Sequence, residues 1–236
     1  MIITSNNVHK VFNQRVLEIP FKGVDKKGII ESIETCRKHF DTRKTDDKVI
    51  FIPGPPIDGS EDNLELLEQK DNGHTYIKRD KTGVVLSSDI FMDSATRELF
   101  HAVHNHIVNL HKSIVNEEVE CAYQNSWFFI STKETELSQY HDHVGFKLNY
   151  PNAVTNYTWT YYVQKPNNCE GIEGKLSFST DKNESEIEMM EVKEDTLYIF
   201  PPSLLHRPNL SPNSTKDRIT AAGNICIPNS DKCFLL

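Results

Sequence analysis

The stretch TLYIFPPSLLH, residues 196–206, decides the fold class of this chain. It opens with five residues that favour β-structure and continues into two prolines, which is typical of a short strand that ends in a turn. Similar runs separated by Pro, Asn, Gly and Asp also lie beyond residue 120, at 122–131, 157–164, 175–179, 187–192 and 218–227. Short strands at this spacing predict an antiparallel barrel or jelly roll.

Two amphipathic helices are predicted in the first half of the chain. Apolar residues recur at helical spacing within 28–40, after Asp25 as a candidate N-cap, and within 94–115, where Asp93 or Ser94 is the candidate cap. Between them we expect a turn-rich segment at 51–56 and a short extra helix at 63–69. The helices should cover one outer face of the barrel, which gives an α+β fold.

Three histidines are candidate ligands of one metal ion. In the stretch YHDH, residues 140–143, the side chains of His141 and His143 point to one side of an extended strand while Asp142 faces away. His206 follows the later strand and turn, and it can close one face of the same ion. Three protein ligands on one face leave about three positions free on an octahedral metal, which oxygen-activating Fe(II) enzymes need for substrate and dioxygen.

Four landmarks over residues 120–228 carry a resemblance to a known family. They are Ser126-Trp127 before the His-x-His pair, the run 158–163 that leads to Pro166, the run 174–178, and residues 197–201 followed by His206 and Arg218. In order and interval they resemble the Fe(II)- and 2-oxoglutarate-dependent oxygenases, in particular a bacterial and phage-borne branch related to prolyl 4-hydroxylases. The resemblance implies a double-stranded β-helix, that is, a jelly-roll or cupin-like barrel, with Fe(II) and 2-oxoglutarate as cofactors and dioxygen as cosubstrate.

The metal ligands depart from the usual pattern of that family, and three arrangements stay open. Most members use His-x-Asp or His-x-Glu before the distal His, whereas this chain has His143 at the third position. Three neutral imidazoles can bind the ion if the dianionic cosubstrate supplies the compensating charge, which is the arrangement we favour. A β-bulge could instead direct Asp142 to the metal as the alternative ligand. The frame His143-x-Gly145 resembles halogenases, which bind halide in place of the carboxylate.

Arg218 and Thr220 are the candidate cosubstrate ligands. They share one face of a predicted strand, and an Arg fork with a hydroxyl beside it suits a carboxylate. The resemblance implies that Arg218 binds the distal carboxylate of 2-oxoglutarate, with Thr220 beside it. It also implies a cosubstrate-binding tyrosine at Tyr161 or Tyr162, of which Tyr161 is our candidate. Arg207 should point to the opposite side of its strand from His206.

The remaining conspicuous side chains are interpreted as structural. The second helix carries several histidines without a His-Glu-x-x-His pattern, so we expect them on its mixed surface. Aromatic residues on the strand 122–131 should pack in the core. The residues concerned are His101, His104, His106 and His111 on the helix, and Trp127, Phe128 and Phe129 on the strand.

The resemblance implies a 2-oxoglutarate-dependent dioxygenase, an oxidoreductase that hydroxylates an unidentified small-molecule or peptide substrate. It requires no catalytic residue beyond the metal ligands, and loops at 152–156 and 169–172 are expected to cover the substrate. One alternative is a three-His metallo-dioxygenase on a cupin-like barrel that does not use 2-oxoglutarate. The other is a jelly-roll binding or structural protein without turnover.

Length and composition predict a single domain over residues 1–236. We divide it into a helix-rich buttress with some strands at 1–119, a metal-binding jelly-roll core at 120–228 and a C-terminal tail at 229–236. A formal net charge of −8 argues against general nucleic-acid binding, because phosphate contacts need concentrated Lys and Arg. The five cysteines show no metal-ligand spacing, and no apolar stretch is long enough for a membrane span. We therefore expect a cytoplasmic protein with reduced thiols.

Overall fold

The computed structural model describes residues 8–41, 49–53, 74–80, 83–87, 94–144, 154–228 and 230–235. The helices in these ranges are α1 (Lys26–Asp41) and α2 (Ser94–Val115). The strands are β1 (Val8–Val11), β2 (Gln14–Pro20), β3 (Val49–Pro53), β4 (His74–Asp80), β5 (Gly83–Ser87), β6 (Tyr123–Ser131), β7 (Thr155–Gln164), β8 (Leu176–Ser179), β9 (Ile187–Met190), β10 (Thr196–Phe200), β11 (Leu205–Pro208) and β12 (Arg218–Cys226).

The strands form two antiparallel sheets. The large sheet has nine strands in the order β1-β2-β10-β7-β12-β6-β5-β4-β3, and the small sheet has the order β11-β8-β9. An isolated antiparallel bridge joins His141 to His206, so the segment around His141 lies along the free edge of β11. Antiparallel sheets with few helices fit the predicted jelly-roll-like fold. The bridge places the candidate metal ligands His141 and His206 at the edge of the small sheet.

Two buried clusters lie on opposite faces of the large sheet. One is on the face covered by the helices, called the helix side, and the other is on the face toward the small sheet, called the small-sheet side. On the helix side, Ile33 of α1 and Val103 of α2 pack against strand residues such as Phe128 and Trp159. On the other side, the two sheets enclose a second cluster that includes Tyr162, Phe178 and Phe200. Since neighbouring strand residues face opposite sides, each central strand contributes to both clusters. Burial of each large apolar side chain contributes about 1.5–3 kcal/mol, and together the two clusters fix the register of the strands.

Both predicted helices are present. Helix α1 begins two residues before the predicted range, and the Asp25 carboxylate accepts a hydrogen bond from the Gly28 backbone N–H at 2.9 Å, as an N-cap should. Helix α2 covers the predicted range 94–115. Among the described residues, no helix is long and apolar enough to cross a membrane. The short helix expected at 63–69 lies outside the described residues.

The strands expected beyond residue 120 are found, with small differences at their ends. The first half also contributes five strands to the large sheet, β1 to β5, which sequence patterns did not locate individually. In particular, β2 pairs with β10 and β5 pairs with β6. Residues 1–119 therefore supply both flanks of the large sheet as well as its helical cover.

His111 differs from its expected place on the helix surface. Its side chain is fully buried on the stripe of α2 that packs on the sheet, and its Nδ1 lies 2.7 Å from the hydroxyl of Tyr157. Burial lowers the pKa of His111, although the nearby Glu117 opposes this shift. The ring therefore packs as part of the core, with Tyr157 OH beside Nδ1 and with the Ser230 hydroxyl and the Glu117 carboxylate each 3.5 Å from Nε2.

Candidate metal and cosubstrate site

The structure brings His141, His143 and His206 together. Each offers a ring nitrogen, and the three nitrogens all lie within 4.8 Å of one another. Backbone hydrogen bonds hold the ligand segments in place: His141 and His206 exchange a pair at 3.0 and 3.2 Å, and the His143 N–H donates to Pro202 O at 2.8 Å. The Pro201-Pro202 turn after β10 thereby positions both the first and the last ligand segment.

All three imidazoles have the Nδ1 atom turned toward an oxygen acceptor. The acceptor is Leu204 O at 2.9 Å for His206, Gln139 O at 3.3 Å for His141, and the Asn224 side-chain oxygen at 2.7 Å for His143. A carbonyl oxygen accepts but does not donate, so these contacts favour the tautomer with the proton on Nδ1. The lone pair is then on Nε2, which is the arrangement that metal-binding histidines adopt when a neighbouring oxygen orients them.

Electrostatics favour the neutral form of the two buried candidate ligands, His143 and His206. Burial lowers the pKa of His143 to about 4, against the opposing effect of its hydrogen bond to Asn224. Burial also lowers the pKa of His206 well below its ordinary value, and the two neighbouring imidazoles add to this effect. Because a metal binds only the unprotonated nitrogen, both rings are ready for ligation near neutral pH.

Asp142 is not part of this cluster. Its side chain is exposed, and its carboxylate accepts a hydrogen bond from the Val144 backbone N–H at 3.2 Å. The two histidines share the cluster without Asp142, although the segment is not a regular strand: His141 forms an isolated bridge, and the chain bends and turns at residues 143 and 144. Gly145, which belongs to the third ligand frame, lies outside the described residues.

Arg218 is a buried cation bonded to neutral oxygens. Its side chain is 4% exposed, and its guanidinium donates to Asn209 O at 2.9 Å and to the Ser131 hydroxyl. Among the described residues, its Nε–H has no acceptor and no carboxylate forms an ion pair with it. Burial lowers the pKa of Arg218. Burying a guanidinium without a counter-ion costs free energy, and an anionic ligand that pairs with the charge would offset this cost.

Thr220 shares the strand face of Arg218, whereas Tyr161 does not. Thr220 is buried, and its hydroxyl donates to Phe129 O at 3.2 Å. Tyr161 packs in the cluster on the helix side, and its hydroxyl donates to Asp195 Oδ1 at 3.1 Å. The tyrosine on the small-sheet side is Tyr162, whose pKa burial raises to about 12 while the Arg218 cation opposes the shift.

Arg207 lies apart from the metal cluster. It forms a two-point ion pair with Glu184, at 2.6 and 3.1 Å, and its guanidinium stacks 4.1 Å from the centre of the Tyr140 ring. It therefore already has an acidic partner. Arg218, by contrast, has no carboxylate partner among the described residues.

Two residues of the site were not identified from the sequence as functional. Asn224 is fully buried beside His143, and Trp127, which was expected in the core, is half-buried with its ring 5.8 Å from the ring of His143. Asn224 lies six positions after Arg218, so strand alternation could have placed both on one face. No local signal could have revealed its partner, because His143 is distant in sequence.

Comparisons with known proteins agree with this architecture. No protein-family model and no curated protein matches the sequence. A prolyl-4-hydroxylase from Pseudomonas putida is similar in structure, with a TM-score of 0.53 and 10% sequence identity over 91% of this chain and 93% of that one. A non-heme alpha-ketoglutarate-dependent carbocyclase from nogalamycin biosynthesis gives a TM-score of 0.52 and 10% identity over 90% and 79% of the two chains.

A third similar structure is a prolyl hydroxylase from Trichoplax adhaerens in complex with a peptide of the hypoxia-inducible factor oxygen degradation domain. Its TM-score is 0.51, with 12% identity over 90% of this chain and 83% of that one. Structural neighbours of this chain are thus prolyl hydroxylases and a further 2-oxoglutarate-dependent enzyme, as the resemblance of its motifs led us to expect. At such low identity this likeness shows the fold, and the chain has the fold of these oxygenases.

Proposed function

We propose that the protein is an Fe(II)- and 2-oxoglutarate-dependent dioxygenase that hydroxylates an unidentified substrate. The observation that carries this proposal is the pairing, within one fold, of three oriented imidazoles with a buried arginine that has no acidic partner in the part of the chain that the structure describes. We also propose that the two sheets form a double-stranded β-helix, with the ligand segment 140–144 extending the small sheet beside β11. The fold alone does not assign a reaction, so the three histidines and Arg218 are the features that favour this one.

The histidine cluster fits a divalent transition metal. Imidazole is a common ligand of iron, and three protein ligands leave positions for cosubstrate and dioxygen. Metal–imidazole bonds of about 2.0–2.1 Å place neighbouring ligand nitrogens ~3 Å apart, so small side-chain rotations suffice from the present spacing. We assign His141, His143 and His206 as the ligands, and Asp142 remains the alternative to be tested.

Arg218 fits the distal carboxylate of 2-oxoglutarate. Its guanidinium can form two parallel hydrogen bonds with a carboxylate, and its Nε–H is a donor without an acceptor among the described residues. Thr220 can rotate its hydroxyl from Phe129 O toward the same carboxylate. We assign the cosubstrate site to Arg218 and Thr220, with Tyr162 beside them in place of Tyr161.

When bound, Fe(II) and 2-oxoglutarate supply the oxidation of a C–H bond by dioxygen, with release of succinate and carbon dioxide. The chain's own residues bind the ion and the cosubstrate, orient them and enclose them. Apart from Arg218, the residues of the central strands that share its face are aromatic, small or neutral polar, among them Phe129, Thr160 and Ala222. On these described strand faces no carboxylate is available as a general acid or base, which agrees with a reaction that needs only positioning and exclusion of water.

The partner that this site fits is a small molecule or a peptide. Trp127, half-buried beside His143, is the side chain that we assign to contact it. Reduced cysteines accord with a cytoplasmic location, and in the described part of the chain Cys121, Cys169, Cys226 and Cys233 are all free thiols.

Succinate formation tests the reaction class before any substrate is known. Purified protein with Fe(II), 2-oxoglutarate and dioxygen should release succinate slowly without substrate and faster with the right member of a substrate panel. His206→Ala should release none, and neither should a reaction without iron. Oxygen consumption that is independent of 2-oxoglutarate would instead identify a three-His dioxygenase. Protein that binds no iron would support a non-catalytic role.

A further inference from the structure

We propose that Asn224 is a positioning residue that selects the metal-binding tautomer of His143. This inference rests on the proposed function, because it assumes that His143 binds the ion. It assigns a role to a side chain that is six residues from the cosubstrate arginine and that does not itself reach the metal. His143 is the third residue of the His-x-His pair, where most members of the resembled family have a carboxylate.

The contacts of Asn224 are specific and fully enclosed. Its side-chain oxygen accepts a hydrogen bond from His143 Nδ1 at 2.7 Å and another from the Thr158 hydroxyl at 3.1 Å. Its amide nitrogen donates to the Asn125 side-chain oxygen at 3.1 Å. Asn224 has no exposed surface. Three neighbours thus hold the amide, and its oxygen faces the imidazole.

The sheet fixes these neighbours by register. Asn125 on β6 and Thr158 on β7 are the backbone partners of Asn224 on either side of β12. The preceding Gly223 allows the strands to approach closely, since a Cβ at that position would lie 2.4 Å from Asn125 O and 2.8 Å from the Trp159 ring. One rung of the sheet, Asn125-Asn224-Thr158, therefore supports His143 from behind.

Among the three ligands, His143 is the one oriented by a side chain. His141 and His206 direct Nδ1 to backbone carbonyls, which no substitution removes. An amide oxygen at this position holds the proton on Nδ1 and leaves the ring neutral, whereas a carboxylate would draw the proton and make the ring a stronger donor to the metal. Asn224 thereby sets both the direction of His143 Nε2 and its basicity.

Substitutions of Asn224 should move metal affinity in opposite directions. Asn224→Leu removes the acceptor, frees the ring to adopt either tautomer, and should weaken Ni(II) binding by roughly 10- to 100-fold, as is typical when a supporting partner of a ligand is lost. Asn224→Asp supplies a carboxylate acceptor and should tighten Ni(II) binding, because the Asn125 amide can turn its NH₂ group toward the new oxygen. A purely structural role would weaken binding in both variants.

The test measures Ni(II) affinity by calorimetry on the full chain, together with histidine ¹⁵N spectra of the metal-free protein. Asn156→Leu is the matched control, because Asn156 is also buried but bonds to Ile227 N and to the C-terminal carbonyls of Ser230 and Lys232. It should reduce stability without changing Ni(II) affinity.

We expect wild-type His143 to carry its proton on Nδ1 and the Asn224→Leu variant to lose that preference. A wild-type His143 that is protonated on Nε2 would overturn the inference, even if the leucine variant does not fold. Equal Ni(II) affinity in wild type, Asn224→Leu and Asn224→Asp would also overturn it. Failure of the wild type itself to bind Ni(II) would instead refute the proposed function.

Discussion

Replacing Arg218 should separate cosubstrate binding from folding. In Arg218→Met the cation and its fork are lost, while the side chain remains long enough to fill the buried space. Hydrogen bonds to charged groups contribute about 1.5–3 kcal/mol each. The loss of two such bonds to a carboxylate should therefore raise the Kd of 2-oxoglutarate by at least ~100-fold.

The effect on the unliganded protein should be much smaller. The variant loses hydrogen bonds from the charged guanidinium to Asn209 O and the Ser131 hydroxyl, each of which contributes about 1.5–3 kcal/mol. It also removes a buried cation that has no acidic partner among the described residues, which is worth several kcal/mol in the opposite direction. The two contributions oppose each other, so we expect the free energy of unfolding to change by less than about 2 kcal/mol.

Thermal unfolding with Ni(II) in place of Fe(II) measures both effects without turnover. At a 2-oxoglutarate concentration of 100 times the wild-type Kd, the cosubstrate should stabilise the wild type by about 2.7 kcal/mol, and a 100-fold weaker variant by only ~0.4 kcal/mol. Arg207→Met is the control, since Arg207 pairs with Glu184 instead, and it should keep the full cosubstrate shift. An unchanged shift in Arg218→Met, or a shift lost only in Arg207→Met, would refute the assignment.

Four further outcomes follow from the same contacts. His206→Ala should abolish binding of Ni(II) or Fe(II), and metal analysis that still finds one ion per chain would contradict the triad. Asp142→Asn should change the Ni(II) affinity measured by calorimetry by less than about threefold, which is below the tenfold change that 1.4 kcal/mol would give. A large loss of affinity would favour the alternative in which a β-bulge directs Asp142 to the metal. The folded pKa of His143, about 4, lies below its ordinary 6.5, so the unfolded chain binds more protons between these values. Denaturant titrations of the metal-free protein should therefore show the free energy of unfolding rising by roughly 3 kcal/mol or more from pH 4 to 6.5, because the lowered pKa of His206 acts in the same direction. A fall over this window would contradict the burial of these rings. Phe128→Ala should cost about 3–5 kcal/mol and lower Tm by roughly 10 °C without changing Ni(II) affinity, because Phe128 is fully buried on the helix side of the sheet.

Local alternation explains why the ligand cluster could be predicted from the sequence. His141 and His143 are two positions apart on an extended segment, and the two prolines before His206 indicate a strand followed by a turn. These are short-range patterns with a fixed geometry, so they predicted which side chains could share a face. The two helices were also recognisable, because their apolar residues recur every three or four positions.

The side of β7 that faces the site could not be predicted in the same way. Residues 155–163 of this strand are all buried, so both faces are covered and the usual alternation of apolar and polar residues is absent. Tyr161 and Tyr162 are then equivalent in the sequence, although one packs against the helices and the other lies between the sheets. Because both sides of the strand are buried, its sequence lacks the alternation of apolar and polar residues that would have distinguished Tyr161 from Tyr162.

Long-range partners set the other limit on sequence-based prediction. The pairing of β2 with β10 joins segments that are far apart in the chain, and so does the bond from Asn224 to His143. A single sequence contains no local signal for such a pairing, because register is decided by packing across the whole sheet. The supporting contacts of the site therefore emerged from the three-dimensional structure, whereas its three candidate ligands were named from the sequence.

The most direct test of the central claim is an anaerobic titration of the protein with Fe(II) and 2-oxoglutarate, followed by visible absorption. Three imidazoles and Arg218 acting on one ion and one cosubstrate predict a weak metal-to-ligand charge-transfer band that needs both components, disappears in His206→Ala and requires far more 2-oxoglutarate in Arg218→Met. Protein that holds one Fe(II) per chain yet shows no band at saturating 2-oxoglutarate would contradict the account.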